Sequence, residues 1–204
     1  MQPTLITDFE ENADWLEDLK SIVETQSTQP LKLRLWVRDK ELAAEKLPLS
    51  SLRRAAEKYQ FQIQWSWCHR HQAQPQELLH IPDDDMLRSA SQVVYGRRIL
   101  SCHSIHHAQT LLTMYPLDQV LMSPWAPSLS KEQRHQPLNH DAVIGLTKRF
   151  PYRIHLTSGL TPSDFAQLQQ YPFVSLCFLG ALRQNMASCL EQLQAQYQLN
   201  SVLL

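Results

Sequence analysis

Arg98-Ile-Leu-Ser-Cys-His103, Ser104-Ile-His-His-Ala-Gln-Thr-Leu-Leu-Thr-Met-Tyr115 and Asp118-Gln-Val-Leu-Met-Ser123 follow one another with almost nothing between them. The outer two are short apolar runs of strand type. The middle one places Ile105, Ala108, Leu111, Leu112 and Tyr115 on one helical face, with Ser104 at the position of an N-cap. A strand, a helix and a strand joined this closely make a parallel unit, because parallel strands need a crossover between them.

The same alternation runs outward in both directions. Toward the N-terminus, Thr4 to Thr7 is a strand, followed by a helix from about Glu10 to Thr25 striped by Trp15, Leu16, Leu19, Ile22 and Val23. From Leu31 to Arg38 the period is two, with Leu31, Leu33, Leu35 and Val37 on one side and Lys32, Arg34, Trp36 and Arg38 on the other. A helix opens at Pro48, a first-turn residue, and carries Leu49, Leu52, Ala55, Ala56 and Tyr59. Phe61, Ile63, Trp65 and Trp67 alternate with Gln62, Gln64 and Ser66 in a third strand, and Leu78 to Ile81 is a fourth, stopped by Pro82. Toward the C-terminus come a helix at Asn139 to Arg149, a strand at Tyr152 to Thr157, and a helix opened by Thr161-Pro162. A last strand at Phe173 to Leu179 and a helix striped by Met186, Leu190, Leu193 and Tyr197 complete the chain. Eight strands in 204 residues fit a single small (β/α)8 TIM barrel over residues 1–204. An open doubly wound sheet is the alternative; its usual Gly-rich first turn is absent from Thr7-Asp8-Phe9-Glu10.

Composition narrows the class. The chain is 43% hydrophobic and 19% charged with a net charge of -1, enough apolar surface for a core and no polycationic field for nucleic acid. No apolar window reaches the length of a membrane span, and no secretory leader is read in Met1 to Asp8. Cys68, Cys102, Cys177 and Cys189 form no paired motif, which fits a reducing, cytoplasmic setting. His69-x-His71 is not by itself a tetrahedral zinc spacing. The expected partners are small phosphorylated molecules, not nucleic acid or membrane, and a homo-oligomer is left open.

In a barrel the chemistry sits at the C-terminal ends of the strands. Arg38, Ser66 to His69, Asp83 to Asp85, Ser101 and His103, Ser128, Ser130 and Lys131, Ser158-Gly159 and Gly180 fall there. Hydroxyls, cations and two glycines before helices suit an oxyanion or phosphate.

These residues also carry a resemblance. Asp118-Gln-Val-Leu-Met-Ser-Pro124-Trp-Ala-Pro-Ser128-Leu-Ser130-Lys131 resembles the sixth-strand signature of thiamine phosphate synthases and thiazole tautomerases. That signature is an Asp, a Pro, then two hydroxyl residues and a Lys. Ser101-Cys-His103-Ser104 is similar to the family's Ser-x-His-Ser/Thr, and Leu78-Leu-His80-Ile-Pro-Asp83-Asp-Asp85 to its Gly-x-His-x-Gly-Gln-x-Asp. Ser158-Gly159-Leu160 and Leu179-Gly180 resemble its two phosphate turns. The resemblance implies a transferase that joins a pyrimidine methyl pyrophosphate to a thiazole phosphate and releases pyrophosphate. Arg34, Arg38, Ser101 and Lys131 would hold the pyrophosphate, and Asp85 would ligate Mg2+. Ser128, Ser130, Gly159 and Gly180 would hold the thiazole phosphate.

The departures are specific. Trp36 stands where the family has an Arg, Ser66-Trp67 where it has an Asn and a metal-ligating Asp, and Pro82-Asp83 where it has Gly-Gln. Pro124 also denies the chain the His of the tautomerases. A tautomerase-like isomerase and a catalytically silent phosphate binder therefore stand beside the transferase.

Overall fold

The computed structural model describes residues 1–25, 32–38, 44–82, 97–116, 118–127 and 136–201. Within them eight strands close into a parallel barrel in sequence order: β1 (Gln2–Ile6), β2 (Arg34–Val37), β3 (Gln62–Ser66), β4 (Leu78–Ile81), β5 (Arg97–Cys102), β6 (Gln119–Met122), β7 (Ile154–Thr157) and β8 (Ser175–Phe178). Closure is made by β1 and β8, with Thr4 opposite Cys177 and Leu5 opposite Phe178. No sheet edge is left unpaired.

The described α-helices are α1 (Trp15–Thr25), α2 (Leu49–Tyr59), α3 (Ile105–Met114), α4 (His140–Arg149), α5 (Pro162–Leu168), α6 (Gly180–Gln184) and α7 (Met186–Ser201). The caps read from the sequence are present. Ser104 accepts the His107 N–H at 3.2 Å, and Thr161 with Asp164 forms a capping box ahead of Pro162. Helix α1 starts at Trp15, the first residue of its apolar stripe, and not near Glu10. The Asn12 side chain accepts the Asp14 N–H at 2.9 Å, a local turn that competes with helix. Trp67 leaves the strand and opens a 3-10 segment, Trp67–Gln72.

Leu33, just before β2, Leu35 and Val37 of β2, and Ile63 and Trp65 of β3 point outward into the main core, against the helices. The opposite parity fills the barrel. Ile6, Trp36, Leu78, Ile99, Leu121 and Cys177 form a small second core there. It shares the interior with Thr4, Gln64 and His155, each fully buried. The barrel's inside is thus the more polar face of its strands, and its outside the more apolar one.

That polarity is concentrated at the N-terminal end. Gln2, Arg34, Gln62, Arg97, Gln119 and Ser175 are each the first residue of their strand. Asp118, just before β6, is buried and held by Arg98, whose Nε and Nη2 lie 3.0 and 2.5 Å from its two oxygens. Arg153 donates to the carbonyls of Leu112, Tyr115 and Asp118, tying the α3–β6 turn to β7. Asp118, read from the sequence as part of a strand signature, is thus an anchor at the bottom of the barrel.

Candidate functional site

The C-terminal mouth opens into a cavity of about 360 Å³. Arg38, Ser101, Gly159 and Gly180 all line it, together with Trp36, His80, His103, Ser123, Thr157 and Ser158. These residues come from six strand ends, brought together by barrel closure.

The floor is a chain of side-chain contacts across neighbouring strands. Trp36 donates its indole N–H to Ser66 Oγ at 2.9 Å, and its ring meets His80 edge-on with centroids 4.5 Å apart. The Nε2 atom of His80 lies 2.8 Å from Ser101 Oγ. Arg38 continues the inward parity of β2, its guanidinium carbon 5.8 Å from the Trp36 ring centroid. Its backbone N–H donates to Thr7 Oγ1 at 3.2 Å, fixing the strand end. On the β5–β6 side, His103 Nδ1 lies 2.9 Å from the Ser123 carbonyl and 3.1 Å from its hydroxyl. Cys177 completes the wall, and burial pushes its thiol up to about 11, so it stays protonated and unreactive.

The β7–α5 loop forms the opposite rim. Ser158 and Gly159 take φ of 70° and 75°, in the left-handed region. A Cβ on Gly159 would stand 2.4 Å from the Ala126 carbonyl oxygen, so only glycine allows this close passage. The β6 loop is laced to it: Trp125 donates to the Thr157 and Ser158 carbonyls and Ala126 to Ser158, each at 3.1 Å. Trp125 is itself stacked on His140 at 3.6 Å. The Gly159 N–H finds no protein acceptor among the described residues, which leaves a donor at the cavity wall.

Arg34, expected beside Arg38 on the pyrophosphate, does not join this wall. It is the first residue of β2, at the N-terminal end, and lines a different cavity from Arg38. Four positions along an inward-facing strand keep the side but change the end, since each residue advances about 3.3 Å. Ser128, Ser130, Lys131 and Asp85 lie outside the described residues, as does the Asp83-Asp84 pair. His80 and Ser123 were not singled out as ligand-binding residues, although their inward parity at strand ends was readable.

The described wall supplies no ligand set for Mg2+, and the expected ligand Asp85 lies outside the described residues. That wall carries no carboxylate, and no cluster of three or more His, Cys, Asp or Glu gathers among the described residues. No described helix is long and apolar enough to cross a membrane.

No protein-family model matches the chain, and no curated protein matches its sequence. Solved structures do. The native KDPGal structure gives a TM-score of 0.62 at 12% identity over 100% of both chains. A thiamine phosphate pyrophosphorylase from Bacteroides thetaiotaomicron gives 0.66 at 14% identity, covering 98% of each chain. A thiamine phosphate pyrophosphorylase from Pyrococcus furiosus gives 0.70 at 10% identity, covering 97% of this chain and 95% of that one. This chain shares the TIM-barrel fold of thiamine phosphate pyrophosphorylases from end to end, at an identity that places it far from them in sequence.

Proposed function

We propose that the C-terminal mouth binds a phosphorylated small molecule and that the chain is a thiamine phosphate synthase-like transferase. It would join a pyrimidine methyl pyrophosphate to a thiazole phosphate with release of pyrophosphate. One observation carries the reading: Arg38, Ser101, Gly159 and Gly180, assigned from separate motifs, line a single cavity. In this reading Arg38 faces the charge that grows on the departing pyrophosphate. Ser101, aligned by His80, supplies a hydroxyl beside it. The free N–H of Gly159 meets the thiazole phosphate, with Ser128 and Ser130, and Lys131 is the cation shared between that phosphate and the pyrophosphate.

Mg2+ belongs to the proposal only through Asp85, since the described wall offers it no carboxylate. A cytoplasmic setting belongs to it too, supported by four cysteines that all stand as free thiols. The test is a pyrophosphate-release assay with both substrates, run with and without Mg2+. Release that requires both substrates supports the transferase. No release in either condition sinks it.

A second reading, a silent phosphate binder, is favoured by Trp36. Its indole fills the position of a family Arg and its one donor is already given to Ser66. Calorimetric binding of thiazole phosphate without turnover supports that reading. Binding left unchanged by Lys131→Ala would place the phosphate elsewhere.

A further inference from the structure

The N-terminal mouth of the barrel holds a second cavity, of about 930 Å³, that the reading above does not use. Arg34 lines it and is only 5% exposed. Its guanidinium is met by neutral groups. Nη2 lies 3.1 Å from Gln62 Oε1 and 3.4 Å from Gln2 Oε1, and Nη1 lies 3.4 Å from His155 Nδ1. Its Nε is enclosed with no acceptor at all.

His155 supplies no negative charge either. A guanidinium can only donate, so His155 Nδ1 must accept, and the Ser175 hydroxyl 2.7 Å away donates to the same atom. The ring proton therefore sits on Nε2 and is given to Gln119 Oε1 at 2.8 Å. Full burial, with Arg34 close by, holds the imidazole well below the usual histidine range and so neutral.

The charged neighbours make the imbalance sharper. Arg97, exposed at the same rim, adds a like charge. Burial, with that like charge adding to it, pulls the Arg34 guanidinium down to about 10. Two carboxylates also line the cavity, and neither answers Arg34. Glu77 is taken by Arg53 at 2.8 Å, by the Trp65 indole and by the Gln74 N–H. Glu57 lies on α2, exposed to solvent. Among the described residues no carboxylate forms an ion pair with Arg34 or Arg97. A buried cation faced only by dipoles and a second cation is costly unless an anion joins it.

We propose that the N-terminal mouth is an anion site, in which Arg34 and Arg97 together bind a small tetrahedral oxyanion, a phosphate or the phosphate group of a small ester. Planar guanidinium groups match such oxyanions by paired hydrogen bonds. The Gln2 amide is the partner an anion would displace, since its bond to Arg34 is long at 3.4 Å whereas that of Gln62 is ordinary at 3.1 Å.

The test uses the full chain with Arg38→Ala and Lys131→Ala together as background, which takes the expected cations out of the C-terminal mouth and keeps the two sites apart. Inorganic phosphate is titrated by calorimetry into that background and into the same background carrying Arg97→Ala or Arg34→Lys. Arg97 is at the exposed rim, so its variant folds. Phosphate binding in the background that weakens about tenfold on Arg97→Ala supports the site, the loss of one charge-assisted contact being worth about a tenfold change. Tighter binding of glycerol phosphate than of inorganic phosphate also supports it and assigns the ligand to an ester. No binding in the background, or binding indifferent to Arg97→Ala and to Arg34→Lys, overturns it. Crystals soaked in tungstate give an independent reading: anomalous density between Arg34 and Arg97 is expected, and its absence at a concentration that labels other sites counts against the proposal.

Discussion

The Nε2 atom of His80 stands 2.8 Å from the Ser101 hydroxyl, bridging β4 and β5 at the cavity floor. The same histidine ring is pressed edge-on by Trp36, so one residue sets the position of both neighbours. Ser101→Ala removes the hydroxyl and leaves the ring where packing holds it. The expected result is about a tenfold loss in affinity for the pyrimidine methyl pyrophosphate or in turnover with a stability loss of only about 1 kcal/mol. Calorimetry and urea unfolding on one preparation check the pair. A stability loss several times larger would make the contact structural.

Two glycines should respond in opposite directions to alanine. Gly159→Ala drives a Cβ into the Ala126 carbonyl oxygen at 2.4 Å and strains a φ of +75°. A loss of about 3 kcal/mol is expected, with ligand binding lost alongside. Gly145 lies within α4, and a Cβ there meets nothing within 4 Å. Gly145→Ala should gain about 0.5–1 kcal/mol from helix propensity. Urea midpoints of both variants settle the signs.

Acid should weaken the protein through His155. Its folded-state value lies well below the 6.5 of an exposed histidine, because burial penalises the imidazolium. The unfolded chain therefore binds the proton first as pH falls. Stability from this group is complete above about pH 6.5 and declines below it, by up to about 1.4 kcal/mol per pH unit. Unfolding free energies measured down the acid limb should flatten in His155→Gln, which keeps a neutral polar side chain. An unchanged slope would assign the acid limb to other groups.

Thiol chemistry should single out one cysteine. Cys68 is exposed, whereas Cys102, Cys177 and Cys189 are buried. Burial also lifts the Cys177 and Cys189 thiols to about 11 and about 12. A thiol-reactive dye should label one site rapidly in the native protein, and Cys68→Ser should abolish that phase. Fast labelling that survives the substitution would mean that the mouth of the barrel opens.

The strand–helix rhythm was plain in the sequence because parity and helical stripes are local properties. Leu33, Leu35 and Val37 announced one face of β2, and Ser104 and Thr161 announced two helix starts. Depth along the barrel axis is not local. The alternation put Arg34 and Arg38 on one side but gave no weight to their separation along the strand, so a bottom residue was grouped with a rim residue. The Trp36–Ser66 and His80–Ser101 contacts depend on which strands become neighbours, and registers between strands are set by closure. Gly159 was visible as a turn residue, whereas its close passage by Ala126 required the packing of two loops.

Ile99 and Gln64 lie wholly buried between the two mouths, with no accessible surface. Together with the apolar cluster around Trp36 and Leu121 they act as a septum across the barrel. Nothing charged crosses such a wall readily, so the two ends are separate compartments of one small scaffold. Substitutions at the outer C-terminal rim touch none of the side chains that line the base around Arg34 and Arg97, and the converse also holds. The altered Trp36 floor and the cationic base could then have histories of their own within a single chain.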